Sequence, residues 1–391
     1  MISLYGLIAK PLSYFVPLKK KSWVFGSDYG NMYREGSKYL IEYMIKIHPD
    51  YDCTFIAQNS KVKEELDRKG IPCVMNLSLR GIWKILRAEV GVTTQDPSDI
   101  RLLYKKKGRK FIFLSHGQPY KAAFLATSQR YKDQHESTKQ SQITKLTHKI
   151  TDFLTGGYQF WESEFFTSTS EFFVPYNKML YGAKADVRIL GMPRNDGLFD
   201  DKRMRKERWL SNLENKLIIT YMPTHRVFGQ GGASPIPFLG DLNKLNWLRE
   251  NNIVLVVKQH PNTPVQETIE TDVIVDVSKM GLDPQVVLYH SDVLITDYSS
   301  VWIDYIMLRR PILLYLDNKY EKEDFGVLYD IKKEAPGHIC YDEDSLYYLI
   351  KKVVENYDQM VPTESQIRKY HKYVDGNSCE RYFEAIVNGV D

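Results

Sequence analysis

The sequence predicts an α/β protein built on parallel, doubly wound sheets. Short apolar runs alternate with segments of helical periodicity along most of the chain, a pattern typical of parallel strands covered by helices. Small or polar residues directly follow several of these runs. The clearest case is segment 290–311, where the apolar run 293–295 leads into Asp297, Ser299 and Ser300 and then into a helical pattern that ends at Pro311. We therefore expect a strand, a turn and a serine-capped helix in this segment.

The order of the apolar runs predicts the individual elements. Strands are expected at residues 23–25, 53–57, 72–75, 89–93, 110–114, 187–190, 217–221, 253–257, 273–276, 293–295 and 312–316. Helices are expected near 37–47, 62–69, 79–87, 343–355, 364–373 and 378–387. The alternation stops between about 122 and 181, and this insertion looks helical with an aromatic end. Its phenylalanines favour a buried core, with a lid or a membrane-facing surface as alternatives.

A chain of 391 residues is long enough for two domains. We expect an N-terminal α/β domain at 1–195 that contains the 122–181 insertion, and a C-terminal α/β domain at 196–375. The last helix, 376–391, could pack back on the N-terminal domain. The loop 228–239 is rich in Gly and Pro.

Composition narrows the range of partners. The net charge of +4 is too small to predict a nucleic-acid partner. Basic residues nevertheless cluster at 19–21, 105–110 and 202–208, which are either solvated faces or surfaces for anionic lipid or a polyanionic substrate. The four cysteines show no CxxC spacing, so neither a zinc site nor a disulfide framework is expected, and a reducing cytoplasm is the simpler location.

The first 21 residues mix apolar, aromatic and basic side chains. No segment of the chain approaches the ~20 apolar residues of a membrane span. The opening is interrupted by Lys10, Pro11 and Pro17 and lacks a small-residue cleavage site, so we expect no signal peptide. Two alternatives are an amphipathic anchor on a membrane surface and an ordinary element packed on the first domain.

Three predicted strand ends carry a cationic or titratable side chain, namely His116, Arg226 and His260. Because ligands bind at the carboxyl ends of parallel strands, these side chains could converge on a cleft. Acidic residues are sparse in these turns, with Asp196 and Asp297 as the exceptions, and none of the turns carries a DxD motif. This chemistry predicts an anionic phosphate ligand that is held without a metal.

Five motifs in order along the chain carry a family resemblance: SHGQPYK at 115–121, GMPRND at 191–196, YMPTHR at 221–226, VKQHPN at 257–262 and the long segment 291–318. The chain resembles the CDP-glycerol glycerophosphotransferases that build teichoic acids and related polyol-phosphate polymers. That resemblance implies a GT-B-like arrangement, in which two Rossmann-like domains with parallel sheets face a cleft. The acceptor would bind on the N-terminal side and the nucleotide on the C-terminal side.

The resemblance also implies roles for individual residues. His116 corresponds to the histidine of an HGxxxK turn and is the candidate general base, and His260 corresponds to the essential histidine of a KxHP turn. The candidate ligands of the donor phosphates and nucleotide are Arg194, Thr224, Arg226, Lys258, Asp297, Ser299 and Ser300. Gly117 and Lys121 belong to the acceptor side. Structural alternatives remain, since either histidine could be a neutral core residue, Asp297 a turn-fixing residue and Arg226 the partner of a carboxylate.

The expected reaction moves glycerol phosphate from CDP-glycerol to an acceptor hydroxyl and releases CMP. The implied acceptor is an undecaprenyl-linked glycan or a growing polyol-phosphate chain, and no cofactor is required. We expect a cytoplasmic protein that is peripheral on the inner face of the membrane. The alternatives are a CDP-ribitol ribitolphosphotransferase, a GT-B glycosyltransferase that uses a nucleotide sugar, and a noncatalytic protein that binds anionic lipid or polymer.

Overall fold

The computed structural model describes residues 4–101, 103–120, 158, 160–206, 213, 215–224, 236–259, 271–316 and 327–389. The described residues divide into two compact units. One unit falls within Met1–Gln118, Ala123–Asp196 and Asn377–Asp391, and the other within Pro119–Ala122 and Gly197–Gly376. We refer to them as unit 1 and unit 2.

Unit 1 contains a sheet of parallel strands in the order β3-β2-β1-β4-β5. Its elements are α1 (Leu4–Phe15), β1 (Lys19–Phe25), α2 (Glu35–Ile47), β2 (Asp52–Ala57), α3 (Ser60–Arg68), β3 (Cys73–Met75), α4 (Leu79–Arg87), β4 (Ala88–Thr93), β5 (Lys110–Phe113), β6 (Phe166–Ser168), α5 (Val174–Tyr181) and β7 (Val187–Ile189). Strands β2 and β4 each have five of their six residues buried, as expected for inner strands of a parallel sheet covered by helices.

Unit 2 repeats this architecture with a parallel sheet in the order β10-β9-β8-β11-β12-β13. Its elements are α6 (Asp201–Lys206), β8 (Leu217–Met222), α7 (Leu242–Glu250), β9 (Ile253–Val257), β10 (Ile274–Asp276), α8 (Pro284–His290), β11 (Val293–Thr296), α9 (Val301–Tyr305), β12 (Ile312–Tyr315), α10 (Ile331–Glu334), β13 (His338–Cys340), α11 (Glu343–Asn356) and α12 (Glu364–Tyr370). All five residues of β9 are buried, as expected for a strand between two helical layers.

The last helix, α13 (Ser378–Asn388), belongs to unit 1 although the chain reaches it from unit 2. The ring of Phe383 stacks on His48 with centroids 3.7 Å apart. Asp196 caps the helix, since its two carboxylate oxygens accept the N–H groups of Ser378 at 2.8 Å and Cys379 at 2.7 Å. The carboxylate of Asp196 therefore serves the fold at this position.

The expected helical insertion differs from the structure at its carboxyl end. Residues Phe166–Ser168 form β6, which pairs in parallel with β7, because the extended backbone of Phe166 donates to the carbonyl of Asp186 at 2.7 Å. The prediction of a core position is confirmed for Phe165 and Phe173, which are buried, whereas Trp161 is 48% exposed. Residues 122–157 of the insertion and 228–235 of the Gly- and Pro-rich loop lie outside the described residues.

The predicted α/β class is confirmed, and most predicted strands agree with the structure within two or three residues at either end. The strand β13 was not predicted, because His338–Cys340 contains a single aliphatic residue and gives no apolar run. None of the helices in the described ranges combines the length and the apolar character needed to cross a lipid bilayer.

Candidate active site

One group of candidate residues lies in the turn that follows β5 in unit 1. The strand ends as Leu114 donates its N–H to Thr93 of β4 at 2.8 Å. Ser115 then adopts a left-handed backbone with φ of 60°, and its hydroxyl donates to the carbonyl of Gly117 at 3.1 Å. A non-glycine residue in this conformation is held there by its surroundings, and Tyr181 contributes by donating to the Ser115 hydroxyl at 3.3 Å. The turn therefore presents the next residue, His116, at the sheet edge, where the residue is exposed to solvent.

Arg194 fixes the same turn from the other side. The guanidinium is buried, and its Nη1 donates both to the carbonyl oxygen of His116 and to Oε2 of Glu35, at 2.6 Å each. The sequence prediction made Arg194 a ligand of the donor phosphates. In the structure this side chain lies within unit 1 and contacts the backbone of the predicted base.

The environment of His116 favours the neutral imidazole. Desolvation by the surrounding protein lowers its pKa from the usual value, Glu35 opposes this by raising it, and Arg194 and Arg34 lower it further. Solvent still reaches the residue, so this desolvation is partial and the histidine stays accessible to a substrate. A neutral, accessible imidazole is the form required of a general base.

A second group of candidate residues follows the strand ends of unit 2. Strands β8 and β11 are adjacent and parallel, so Thr224 and Asp297 follow them at the same edge. The N–H of Thr224 donates to Oδ1 of the buried Asp297 at 2.7 Å. Asp297 therefore holds this turn together, which was the structural alternative for this residue.

The Thr224 hydroxyl is buried and has no hydrogen-bond partner among the described residues. Strand β9 pairs with β8 and is followed by Lys258, which is buried and donates its backbone N–H to the carbonyl oxygen of Tyr221 at 3.0 Å. Thr224, with a hydroxyl group, and Lys258, with an ammonium group, thus follow adjacent strands at the same edge. Both groups suit the oxygens of a phosphate.

The serines after β11 lie at the start of α9. The Ser299 hydroxyl accepts the N–H of Val301 at 3.3 Å, whereas Ser300 occupies the N-cap position without a side-chain capping bond. Helix α9 continues as a 3₁₀ turn and ends at Arg309, whose left-handed backbone has φ of 57°. The expected strand, turn and helix are therefore all present.

Three predicted site residues, His260, Arg226 and Lys121, lie outside the described residues. Gly117 lies in the turn after β5, directly after His116. The structure thus brings His116, Gly117 and Arg194 together in unit 1. It brings Thr224, Lys258 and Asp297 to one sheet edge in unit 2.

Two features of the site were missed by sequence reasoning. Glu35 reaches the His116 turn through Arg194, and no motif marks it in the sequence. Tyr120 belongs to unit 2, where its ring contacts Tyr329 with centroids 5.1 Å apart. Burial raises the pKa of Tyr120, and the charges of Tyr298, Asp297 and Asp330 raise it further. Its position within the SHGQPYK motif was the available signal.

Comparison with known proteins identifies the family. A family model described as CDP-glycerol:poly(glycerophosphate) glycerophosphotransferase matches residues 8–388. The chain belongs to this family. The resemblance predicted from the motifs is therefore confirmed.

The names of the curated relatives contain one of two units, glycerol phosphate or ribitol phosphate. The teichoic acid poly(glycerol phosphate) polymerase of Bacillus subtilis is 27% identical over 86% of this chain and 44% of its own length. The teichoic acid glycerol-phosphate primase of the same organism is 30% identical over 63% of each chain. A teichoic acid poly(ribitol-phosphate) polymerase of Bacillus spizizenii is 31% identical over 52% of this chain and 33% of its own length. The chain thus spans about half the length of the first of these relatives.

The fold also has a solved counterpart. A structure of the wall teichoic acid polymerase TagF superposes with a TM-score of 0.72 over 99% of this chain and 92% of that chain, at 22% identity. The likeness shows the fold, which is GT-B-like with two Rossmann-like units.

Proposed function

We propose that this chain transfers glycerol phosphate from CDP-glycerol to an acceptor hydroxyl in the synthesis of teichoic acid or a related polymer. The observation that carries the proposal is His116, an accessible histidine held at the end of β5 in surroundings that favour its neutral form. Family membership supplies the reaction class, and solved TagF structures include soaks with CDPG.

In the proposed reaction, the acceptor hydroxyl oxygen attacks the phosphorus atom that carries the glycerol. The bond from that phosphorus to the bridging oxygen breaks, and CMP leaves with the electron pair. The hydroxyl proton passes to the imidazole of His116. Phosphoryl transfer depends mainly on positioning and on stabilising the shifted charge, so one well-placed base and a few phosphate ligands suffice.

The phosphate ligands that we propose lie in unit 2. Thr224 and Lys258 would donate to phosphate oxygens, because both residues follow neighbouring strands there and the Thr224 hydroxyl is buried. Asp297 would act mainly by fixing the Thr224 turn. Ser299 and Ser300 would add hydroxyl donors, and His260, Arg226 and Lys121 keep the roles that the motifs imply.

The acceptor that we propose is an undecaprenyl-linked glycan or a polyol-phosphate chain, which requires access to the cytoplasmic face of a membrane. Unit 1 has a surface with suitable chemistry, which we call the α1 surface. Tyr14 and Phe15 are 68% and 84% exposed at the end of α1. Tyr14 lines a cavity of about 540 Å³ together with the basic loop 105–107, Tyr158 and Glu162. Exposed aromatics beside clustered lysines are suited to an anionic lipid surface.

The proposal is tested by following CMP release from CDP-glycerol with two acceptors, a lipid-linked disaccharide and short poly(glycerol phosphate). Replacing His116 by Asn should lower the rate by about 10²- to 10⁴-fold, since a general base contributes that much. The control is His338→Asn in β13, whose ring contacts the carbonyl of Met360 in unit 2. Two results would contradict the proposal. One is loss of CMP release in His338→Asn while His116→Asn stays active, and the other is the absence of CMP release by the wild type with either acceptor.

One alternative donor has specific support, because ribitol-phosphate polymerases are also relatives of this chain. A parallel assay with CDP-ribitol and UDP-sugars separates the candidates by the nucleotide released and by the donor consumed. CMP release from CDP-ribitol but not CDP-glycerol would reassign the donor. Anionic polymer binding without turnover of any donor would instead favour a noncatalytic role.

A further inference from the structure

The first residue of α2, Glu35, has an unusual backbone. Its φ is 62°, a left-handed value that is unfavourable for a residue with a side chain. The next residue, Gly36, packs so tightly that an added Cβ would lie 3.0 Å from Cδ1 of Leu114 at the end of β5. The start of α2 is therefore fixed against the strand that leads into the His116 turn.

The Glu35 side chain points into the same region. Its side chain is 16% exposed and that of Arg194 is 9% exposed, and the two form an ion pair of 2.6 Å. The Nη1 group that contacts Glu35 also donates to the carbonyl of His116. Glu35 and His116 are thus joined by one guanidinium nitrogen, and movement of the carboxylate would move the donor that holds the turn.

The charged groups that act on the His116 imidazole can be named. Arg194 and Arg34 are cationic, and Arg34 is itself paired with Asp28 at 2.9 Å. Glu35 is the anionic group that opposes the two guanidinium groups. Without its charge, the surroundings of His116 would become more positive, and its pKa would fall further.

We propose that Glu35 is a positioning residue for the general base, because its carboxylate holds Arg194 on the His116 carbonyl. This inference rests on the proposed function, in which His116 accepts the proton of the acceptor. Glu35 itself contacts neither the imidazole nor a substrate in this arrangement. A purely structural ion pair is the competing explanation, and it predicts lost stability without a change at His116.

The test uses Glu35→Gln in the full chain, because Gln keeps the shape and an oxygen acceptor but removes the charge. We expect kcat/KM for CMP release to fall by about 10- to 100-fold, as misplacement of a catalytic group typically costs. We also expect the acidic limb of the pH profile of kcat/KM to move to lower pH. Glu35→Asp should recover part of the rate. The control is Glu42→Gln on the same helix, whose carboxylate accepts from Tyr33 at 3.0 Å.

A second measurement does not depend on turnover. The His116 imidazole is titrated by NMR, with its signals assigned through His116→Asn, and Glu35→Gln should lower its pKa. An unchanged titration and an unchanged pH limb in Glu35→Gln would overturn the inference, whatever happens to stability. If the wild type releases no CMP, the proposed function fails, whereas the titration still decides whether Glu35 acts on His116.

Discussion

The hydroxyl of Thr224 is the clearest single group with an unmet hydrogen bond at the unit 2 strand ends. It is buried, and it lacks a partner among the described residues. An unsatisfied buried hydroxyl costs about 1–3 kcal/mol. A phosphate oxygen that accepts a hydrogen bond from this hydroxyl would remove that cost and so favour binding of the phosphate.

Replacing Thr224 by Val separates binding from stability. We expect the KM for CDP-glycerol to rise by about tenfold, from the loss of one hydrogen bond to a charged ligand. The melting temperature should stay constant or rise, because the substitution removes the unpartnered group. Both are measured on the purified chain by CMP release and by calorimetry.

The matched control is Thr220→Val on the same strand. Thr220 is fully buried, and its hydroxyl is hydrogen-bonded to that of Ser291. This variant should lower the melting temperature without changing KM. A Thr224→Val protein with lower stability and an unchanged KM would show that the hydroxyl serves the fold.

At the scale of elements, strand ends and helix starts fix the site together. The turn after β5 is held by Arg194 of the segment after β7, which donates to the His116 carbonyl, and Arg194 is in turn paired with Glu35 of α2. The segment after β7 is held in turn by α13, because Asp196 caps that helix. A helix at the end of the chain therefore stabilises a loop of the candidate site.

Replacing Asp196 by Ala should loosen α13. Both carboxylate oxygens accept N–H groups and the carboxylate is largely buried, so we expect a loss of about 2 kcal/mol or more in the free energy of unfolding. Hydrogen exchange of residues 378–388 should accelerate. Asp342→Ala is the control, since Asp342 caps α11 through Ser345 at the surface of unit 2. An equal or larger loss in this control would contradict the buried-cap explanation.

The whole molecule has to bring a nucleotide donor and a membrane-linked acceptor together if the proposed function holds. The lysines 19–21, which the sequence suggested for lipid contact, pair with Asp52, Glu89 and Asp50 in unit 1. The α1 surface is the better candidate, because it combines exposed aromatic rings with the 105–107 loop. Within that loop, Lys105 forms an ion pair with Glu162.

The double substitution Tyr14→Ser and Phe15→Ser should weaken binding to phosphatidylglycerol vesicles by about tenfold, since it removes two rings from the interface. Lys107→Gln should weaken binding by about fivefold, and only to anionic vesicles. Sedimentation with phosphatidylglycerol and phosphatidylcholine vesicles measures both effects. The control is Tyr348→Ser, a ring that is 58% exposed on unit 2. Equal weakening by this control would rule out the α1 surface.

The sequence predicted where the strands before the candidate residues end, because a strand end is marked by residues that are adjacent in the chain. The turns at His116, Thr224 and Asp297 each follow a strong apolar run, so their positions could be predicted from the sequence. The strands β6 and β13 were not predicted, because Phe166–Ser168 and His338–Cys340 do not form a run of aliphatic residues. The fold class and the family were therefore accessible from sequence, whereas weak edge elements were not.

The sequence by itself determined the βα alternation, the two-unit α/β class and the motifs that carry family membership. Only the tertiary structure decided that Arg194 contacts Glu35 across 159 residues and the His116 carbonyl across 78. It also decided that Thr224 donates to Asp297 across 73 residues and that α13 belongs to unit 1. The physical reason is that local patterns record which face of each element is buried. Tertiary packing of the elements alone determines which buried charged groups and hydroxyls contact one another.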